Sequence, residues 1–250
     1  MKKKEHKLFV GIAFFILACG FSWPLRLWCQ FCQVKICELG ISPLSLEILF
    51  NWGPGIAALV MYYFLGGSMP RSYSLFGKTF LRNLIFYLLP FAIWAMLLVV
   101  IPDEKITALD YLLMIPLGFL MFLGQELGWR GFCHDLLIQY PVWLKGLIIG
   151  VLWELWSFNE GIVGLDLQAA ILEKAILLGL SIGISVILEY GIKMTHSLAV
   201  VVTLHTWIHI QFEFPLLSAQ IAFVSSLLIW TLLILAWPVD SRSLNPMRTS

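Results

Sequence analysis

The sequence carries little charge for its length. Of 250 residues, 15 are acidic and 16 are basic, so 12% are charged, whereas 60% are apolar, and the mean hydropathy is +0.89. In a soluble domain, about a quarter of the residues are charged and about half are apolar. This composition excludes a water-soluble protein and predicts an integral membrane protein with little room for a soluble domain.

Basic clusters and a cysteine framework are also absent from the sequence. The net charge is only +1, and beyond the first few residues no Lys or Arg cluster is interleaved with aromatics, so nucleic-acid binding has no electrostatic basis. Three of the 5 cysteines, Cys29, Cys32 and Cys37, fall in the first predicted loop. Their CxxC spacing has no histidine or second cysteine pair beside it, which does not favour a dedicated zinc or redox site.

Long apolar stretches dominate what is present. At about 20 residues per spanning helix, we predict an all-α polytopic helical bundle of about eight transmembrane helices, forming a single membrane domain over residues 1–250. The first stretch follows four lysines and also suits a secretory signal, but we interpret it as a span. The eight stretches are about 8–25, 48–66, 83–101, 111–133, 143–164, 169–192, 195–212 and 216–238.

The distribution of basic residues predicts the orientation. With eight spans and a cytoplasmic N-terminus, 12 of the 16 Lys and Arg residues fall on the cytoplasmic side, as the positive-inside rule requires. We therefore expect both termini in the cytoplasm, in a prokaryotic cytoplasmic membrane, with membrane lipids as partners. The other side then holds Arg26, Lys35, Lys105 and Lys174.

Three of the apolar stretches carry polar side chains that are costly in a membrane. A charge near the bilayer centre costs at least about 2.5–3.5 kcal/mol on insertion scales, so such a residue indicates a functional site. At about 1.5 Å of rise per residue, Glu126, Glu154 and His205 lie at one level, about 12–14 Å below the cytoplasmic surface. The candidate site residues are Gln125, Glu126 and Arg130 in the fourth stretch, Glu154 and Ser157 in the fifth, and His205 and His209 in the seventh.

Such a layer suits hydrolysis of a peptide bond inside the membrane. Carboxylate and imidazole groups at one depth supply a base for water, donors for the oxyanion, and polar surroundings for that water. One structural alternative is an intrahelical ion pair between Glu126 and Arg130. Another is a His205 that only hydrogen-bonds a neighbouring helix. Glu154 has no obvious partner in its own helix.

The residues of this layer carry a family resemblance. The segment GQELGWRG at 124–131 resembles the first motif of the CAAX-protease and bacteriocin-processing family, also called the Abi family of intramembrane proteases. That motif is two glutamates, three residues and an arginine. Trp153 to Ser157 lies where the family has an aromatic, three residues and a histidine. His205 to His209 lies where it has a histidine, three residues and an asparagine, and NWGP at 51–54 is a further likeness.

The resemblance is densest over residues 110–212, which it marks as a catalytic core. It implies an eight-span intramembrane endopeptidase that hydrolyses membrane-associated or lipidated peptides in the cytoplasmic half of the bilayer. A peptide or lipidated protein is therefore the expected substrate.

Two catalytic positions depart from the family pattern. Gln125 replaces the first glutamate, which the family is understood to use as the base that activates water, and an amide has no basic site near neutral pH. Ser157 replaces the histidine of the second motif. The intact elements are Glu126, Arg130 and His205, with His209 at the position usually held by asparagine.

Three explanations of these departures stay open. In the first, Gln125 is an engineered, nearly isosteric change that traps an inactive state. In the second, the chain is a natural pseudo-protease that binds a membrane peptide, or acts as a scaffold, without cutting. In the third, the catalytic carboxylate has moved to Glu154, with His205 or His209 supplying the imidazole.

Metal chemistry and transport are the remaining alternatives. Glu126, His205 and His209 carry donor types that suit zinc, but the HExxH spacing of soluble zinc proteases is absent because Thr206 follows His205. We favour no tightly bound metal and no other cofactor. A transporter would show discontinuous helices in two repeated halves, and none is visible.

Other charged side chains are interpreted as structural. We expect Lys145 and Lys193 to anchor spans on the cytoplasmic side. The residues interpreted as solvated or interfacial are His6, His134, Asp135, Glu189 and His196.

Overall fold

The fold is known from a computed structural model, which describes residues 2–31, 43–65, 71–100, 108–157, 167–213 and 217–236. Helices account for nearly all of these ranges, and the extended backbone within them is limited to one isolated bridge between Ser74 and Ser197. The main helices are α1 (Lys2–Phe31), α2 (Pro43–Leu65), α3 (Phe80–Val100), α4 (Ala108–Glu126), α5 (Val142–Trp156), α6 (Leu167–Thr195), α7 (Leu198–Glu213) and α8 (Leu217–Ala236).

The prediction of an all-α membrane bundle is confirmed. Three helical segments in the described ranges are long and apolar enough to cross a membrane: His6–Pro24, Glu47–Leu65 and Leu167–Thr195. A shorter apolar segment, Leu198–Ile210, lies in α7. The number of eight crossings stays a prediction.

The first motif interrupts its helix. After α4 the chain continues as a π-helix over Leu127–Cys133, followed by a single α-turn at His134–Leu136. Such π-helical insertions are uncommon and occur frequently at functional sites. The arginine of the motif, Arg130, lies within this segment.

Glycines in the first motif allow α2 to lie directly against it. A Cβ atom built on Gly124 would stand 2.7 Å from the Cα of Trp52, and one on Gly128 would stand 2.5 Å from the Cβ of Pro54. Real side chains do not fit at such distances, so both positions need glycine for close packing. This contact explains why the NWGP segment accompanies the first motif.

Aromatic side chains fill the core between α1, α2, α5 and the π-helix. Phe14 stacks on Phe132 with ring centroids 4.8 Å apart, and Trp129 meets Trp156 edge to face at 6.1 Å. Cys133 and Cys19 are buried free thiols at this core. Of the loop cysteines, Cys32, Cys37 and the side chain of Cys29 lie outside the described residues.

Contacts of α1 define the two ends of the bundle. The Lys7 ammonium group donates to Gln139 Oε1 at 2.9 Å, whereas Ser22 Oγ donates to the Phe50 carbonyl and Trp23 Nε1 to the Trp156 carbonyl, both at 2.8 Å. The end of the bundle at the Lys7 contact is called the N-terminal end. The opposite end, at the Ser22 and Trp23 contacts, where α2 begins and α5 ends, is called the distal end.

A strap closes the N-terminal end. Residues 71–79 bond to the junction of α6 and α7, where Ser74 N–H donates to the His196 carbonyl and Leu198 N–H donates to the Ser74 carbonyl, both at 3.0 Å. His196 makes the sharp turn between the helices with a φ of 51°. The strap therefore fixes where α7, the histidine-bearing helix, begins.

The fifth helix is shorter than its apolar stretch. It ends at Trp156 after 15 residues, so it is about 22 Å long and falls short of a hydrocarbon core about 30 Å thick. The predicted extension through residue 164 runs into 158–166, which lie outside the described residues. Glu154 is therefore in the last turn of α5, near the distal end.

Candidate active site

One cavity of about 250 Å³ gathers polar side chains from five helices. Of the seven candidate site residues, five line it: Gln125, Glu154, Ser157, His205 and His209. Its other polar lining comes from Glu47, Asn51, Lys174 and Ser181, and its apolar wall includes Phe50, Phe122, Trp153 and Trp156. Glu126 and Arg130 do not line the cavity but contact residues that do.

The cavity extends from the middle of the bundle to the distal end. Gln125 and His205 lie in mid-helix regions, while Glu47 is near the start of α2 and Ser157 follows the end of α5. This differs from the expectation that combined a cytoplasmic N-terminus with a site in the cytoplasmic half. Among the described residues, α5 ends at Trp156, and Ser157 directly after it lines the distal part of the cavity.

Glu126 links the histidine of the third motif to the arginine of the first. Its Oε1 lies 2.5 Å from His205 Nδ1 and 3.3 Å from Arg130 Nη1. A carboxylate only accepts hydrogen bonds, so in the neutral imidazole Nδ1 carries the hydrogen and Nε2 is the free base. The structure contains both the intrahelical ion pair and the interhelical bond, and the two share one oxygen.

Aromatic rings hold the His205 imidazole in place. Phe122 stacks on it with centroids 4.2 Å apart and planes inclined by 25°, and Trp153 meets it edge to face at 4.9 Å. The Arg130 guanidinium lies over the Trp153 ring, 5.4 Å from its centroid. The ring therefore has one orientation, fixed by packing on two sides and by Glu126 at Nδ1.

Gln125 is paired with an amide from α2. Asn51 Nδ2 donates to the Glu47 carbonyl at 2.7 Å, which leaves its Oδ1 to accept from Gln125 Nε2. Both side chains are buried, and the other amide oxygen, Gln125 Oε1, has no hydrogen-bond partner among the described residues. Asn51 belongs to the NWGP segment, so its contact with the first motif gives that likeness a structural basis.

Glu154 is held by α6 rather than by a histidine. Lys174 Nζ lies 3.3 Å from its Oε1, and Ser181 Oγ donates to its Oε2 at 3.0 Å. Lys174 lies within α6, seven residues after its start, and lines the cavity. Its assignment to the side of the membrane opposite the N-terminus stays a prediction.

The remaining candidates lie at the edges of the cavity. Ser157 Oγ donates to the Glu154 backbone carbonyl at 3.2 Å, and the His209 ring meets Phe122 at 4.8 Å between centroids. Within the described ranges, no group of three or more His, Cys, Asp or Glu side chains is arranged to hold a metal ion.

A second polar cluster is buried at the N-terminal end. His134 Nδ1 and Lys145 Nζ lie 2.7 Å and 3.5 Å from Glu189 Oε2. The interpretation of these three as interfacial or anchoring residues is wrong, since all are buried. Close approach of α5 and α6 buries them, because Gly146 and Gly150 have no side chain to hold the helices apart.

Asp135 is also buried rather than interfacial, and it ties this end to the strap. It accepts from the Ser72 N–H at 3.2 Å, the Ser72 hydroxyl at 2.5 Å and the Tyr62 hydroxyl at 3.4 Å. Burial raises the pKa of the Asp135 carboxyl, although the hydrogen bonds from Ser72 oppose the shift. Lys193 and His6 are exposed and His196 is half-buried, as expected for anchoring or interfacial positions.

Fold and site together define an integral membrane helical bundle with a polar cavity inside it. The chain is similar to CAAX prenyl protease 2 of Methanococcus maripaludis, with 35% identity over 85 residues, which is 32% of this chain and 31% of that protein. The match therefore spans about a third of the relative's length. It supports the relationship to CAAX proteases that the motifs indicate. No family model and no solved structure matches the chain.

Proposed function

We propose that the chain is an intramembrane endopeptidase that hydrolyses a membrane-associated or lipidated peptide. The observation that carries this proposal is the bond between Glu126 and His205 at the wall of a polar cavity within an apolar bundle. The similarity to a protein named CAAX prenyl protease 2 supports the same class of reaction.

The cavity offers the components of hydrolysis. At about 30 Å³ for each water, its volume of about 250 Å³ accommodates several waters or part of a peptide. Imidazole, amide and hydroxyl groups stand on its polar side, where they serve proton transfer and stabilisation of an oxyanion. Its aromatic wall suits an apolar substrate side chain.

A functional assay tests the proposal directly. The purified full-length chain is reconstituted in liposomes with a donor–quencher peptide that carries a prenylated cysteine. We expect fluorescence to rise with the amount of protein, and two peptide fragments to form. Absence of fragments from a folded, peptide-binding protein would contradict an endopeptidase. A peptide of the same sequence with an unmodified cysteine measures the contribution of the lipid.

Peptide binding without cleavage is the second candidate function. It is favoured by the pairing of Gln125 with Asn51, because the amide of α2 is already oriented to accept from an amide at position 125. Ser157 also supplies no imidazole to the cavity. The variants Gln125→Glu and Ser157→His, alone and together, test it. Cleavage that appears only in the restored variants would favour a binding role for the chain as it stands.

We also propose that substrate enters from the side of the membrane opposite the N-terminus. The charge distribution predicts a cytoplasmic N-terminal end, and the cavity extends to the distal end. Single-cysteine variants Lys78→Cys and Leu167→Cys, made in a cysteine-free parent, test this with a membrane-impermeant thiol reagent. We expect labelling of Leu167→Cys in intact cells and of Lys78→Cys only after permeabilisation. The reverse pattern would place the cavity mouth in the cytoplasm.

A further inference from the structure

We infer that His205 is the general base of this chain, in place of the carboxylate missing at position 125, and that Glu126 is its positioning residue. The inference rests on the proposed endopeptidase function. It differs from the idea of a carboxylate relocated to Glu154, because the carboxylate that contacts an imidazole is Glu126.

The other candidates are less suited to the task. Gln125 has no basic site near neutral pH. Both oxygens of the Glu154 carboxylate already accept a hydrogen bond, one from the Lys174 ammonium group at 3.3 Å and the other from the Ser181 hydroxyl at 3.0 Å. Glu126 is fully buried and does not line the cavity, so it reaches a substrate only through the imidazole.

The geometry of His205 matches the role. Nδ1 is bound to Glu126, and the residue lines the cavity, which leaves Nε2 as the basic atom available there. Phe122 and Trp153 hold the ring plane, so little reorientation is needed before proton transfer. The Arg130 guanidinium lies 3.3 Å from the same carboxylate oxygen and holds Glu126 in place against the imidazole.

The reaction then proceeds in balanced steps. Water loses a proton to His205 Nε2 while its oxygen forms a bond to the carbonyl carbon of the peptide. The resulting oxyanion is stabilised by donors such as the second Nε2 hydrogen of Gln125, whose first is given to Asn51. The imidazolium returns its proton to the amide nitrogen as the carbon–nitrogen bond breaks, which yields a carboxylic acid and an amine.

Chemical rescue separates a base from a structural histidine. In liposomes with the prenylated donor–quencher peptide and a metal chelator throughout, we expect His205→Gly to lower kcat/KM by about 10²–10⁴-fold. Millimolar imidazole should restore part of this loss, because it can occupy the space of the missing ring. The matched variant His209→Gly should lose less and gain nothing from imidazole. Rescue of His209→Gly instead, or loss of activity in the chelator, would overturn the inference.

The remaining variants distinguish failure of the inference from failure of the function. Glu126→Gln should lower kcat and leave KM unchanged, since Glu126 contacts the base and does not line the cavity. Because this change also leaves the buried Arg130 charge unpaired, the double variant Glu126→Gln with Arg130→Met should show the same loss of kcat. Unchanged kcat in that variant, or retained activity in His205→Gln, would overturn the inference while the endopeptidase stands. If the folded wild-type chain cuts no peptide, the proposed endopeptidase function is rejected, and the inference about His205 is rejected with it. Thermal unfolding and binding of the uncleaved peptide identify any variant that fails to fold. If the His205 variants fail to fold, the kcat of Glu126→Gln decides whether Glu126 positions the base.

Discussion

The Glu126 carboxylate binds both His205 and Arg130 through the same oxygen, Oε1, at 2.5 Å and 3.3 Å. Its second oxygen, Oε2, has no hydrogen-bond partner among the described residues. A single buried carboxylate thus joins the first motif to the third across two helices. It neutralises an arginine on one side and orients an imidazole on the other.

Loss of Arg130 should destabilise the bundle. In Arg130→Met the Glu126 charge is left buried without its cation, and breaking a buried ion pair in this way costs about 3–5 kcal/mol. Thermal unfolding in detergent measures the effect. The double variant Arg130→Met with Glu126→Gln removes both charges and should recover much of the loss. Equal unfolding temperatures of the single variant and the wild type would show that the ion pair does not stabilise the folded protein.

The amide pair of Gln125 and Asn51 predicts a non-additive effect. Gln125→Glu alone should cost about 1 kcal/mol, because the Asn51 amide can turn its nitrogen toward the new carboxylate. Asn51→Asp alone keeps an acceptor for Gln125. The double variant places two carboxylates together, so its loss should exceed the sum by about 0.5–3 kcal/mol at neutral pH. A double-mutant cycle of unfolding free energies measures the excess, and strict additivity would contradict the contact.

Glycine in the first motif should be more sensitive to substitution than glycine in α6. Gly128→Ala brings a Cβ to 2.5 Å from Pro54 and forces α2 away, which we expect to cost about 1–3 kcal/mol. Gly183→Ala is the matched control, since nothing lies within 4 Å of its Cβ. Unfolding temperatures of both variants provide the comparison. Equal tolerance of the two changes would mean that α2 and the motif are not in close contact.

Asp135 should make stability fall as pH rises. Burial raises the pKa of its carboxyl in the folded state, so the folded protein favours the protonated form. Its contribution is complete below the unfolded pKa of about 3.9 and is lost as pH rises through the folded pKa. Asp135→Asn keeps an acceptor for Ser72 and should remove this decline. Unfolding temperatures measured from mildly acidic to neutral pH should diverge in favour of the variant, and parallel curves would refute the assignment.

Hydropathy and motif spacing were enough to predict the helical bundle and to select side chains that meet in one cavity. Gln125, Glu154 and His205 line the same cavity, because polar side chains in apolar helices face the interior of the bundle, and one another, rather than lipid. Glu126 lies behind His205 instead, because adjacent residues of an α-helix point about 100° apart. Which of Gln125 and Glu126 faces the cavity is set by how α4 packs, and motif spacing does not give that packing.

The contacts that the sequence did not reveal share a physical cause. A charge near a predicted span end usually lies at a surface, whereas Lys174, Lys145 and His134 have buried partners. Their partners are distant in sequence, since Lys174 is 20 positions from Glu154 and His134 is 55 positions from Glu189. Packing of α5 against α6, which Gly146 and Gly150 permit, brings Lys174 to Glu154. His134 reaches Glu189 from the turn that follows the π-helix.

We propose above that this chain cuts a peptide with His205 as the base and Glu126 as the residue that positions it. The most direct measurement is mass spectrometry of a prenylated peptide incubated with liposomes that contain the wild-type chain or the double variant Glu126→Gln with His205→Gln. We expect two products from the wild type, with masses that sum to the peptide plus one water, and intact peptide from the variant. Recovery of intact, bound peptide from the wild type would contradict it.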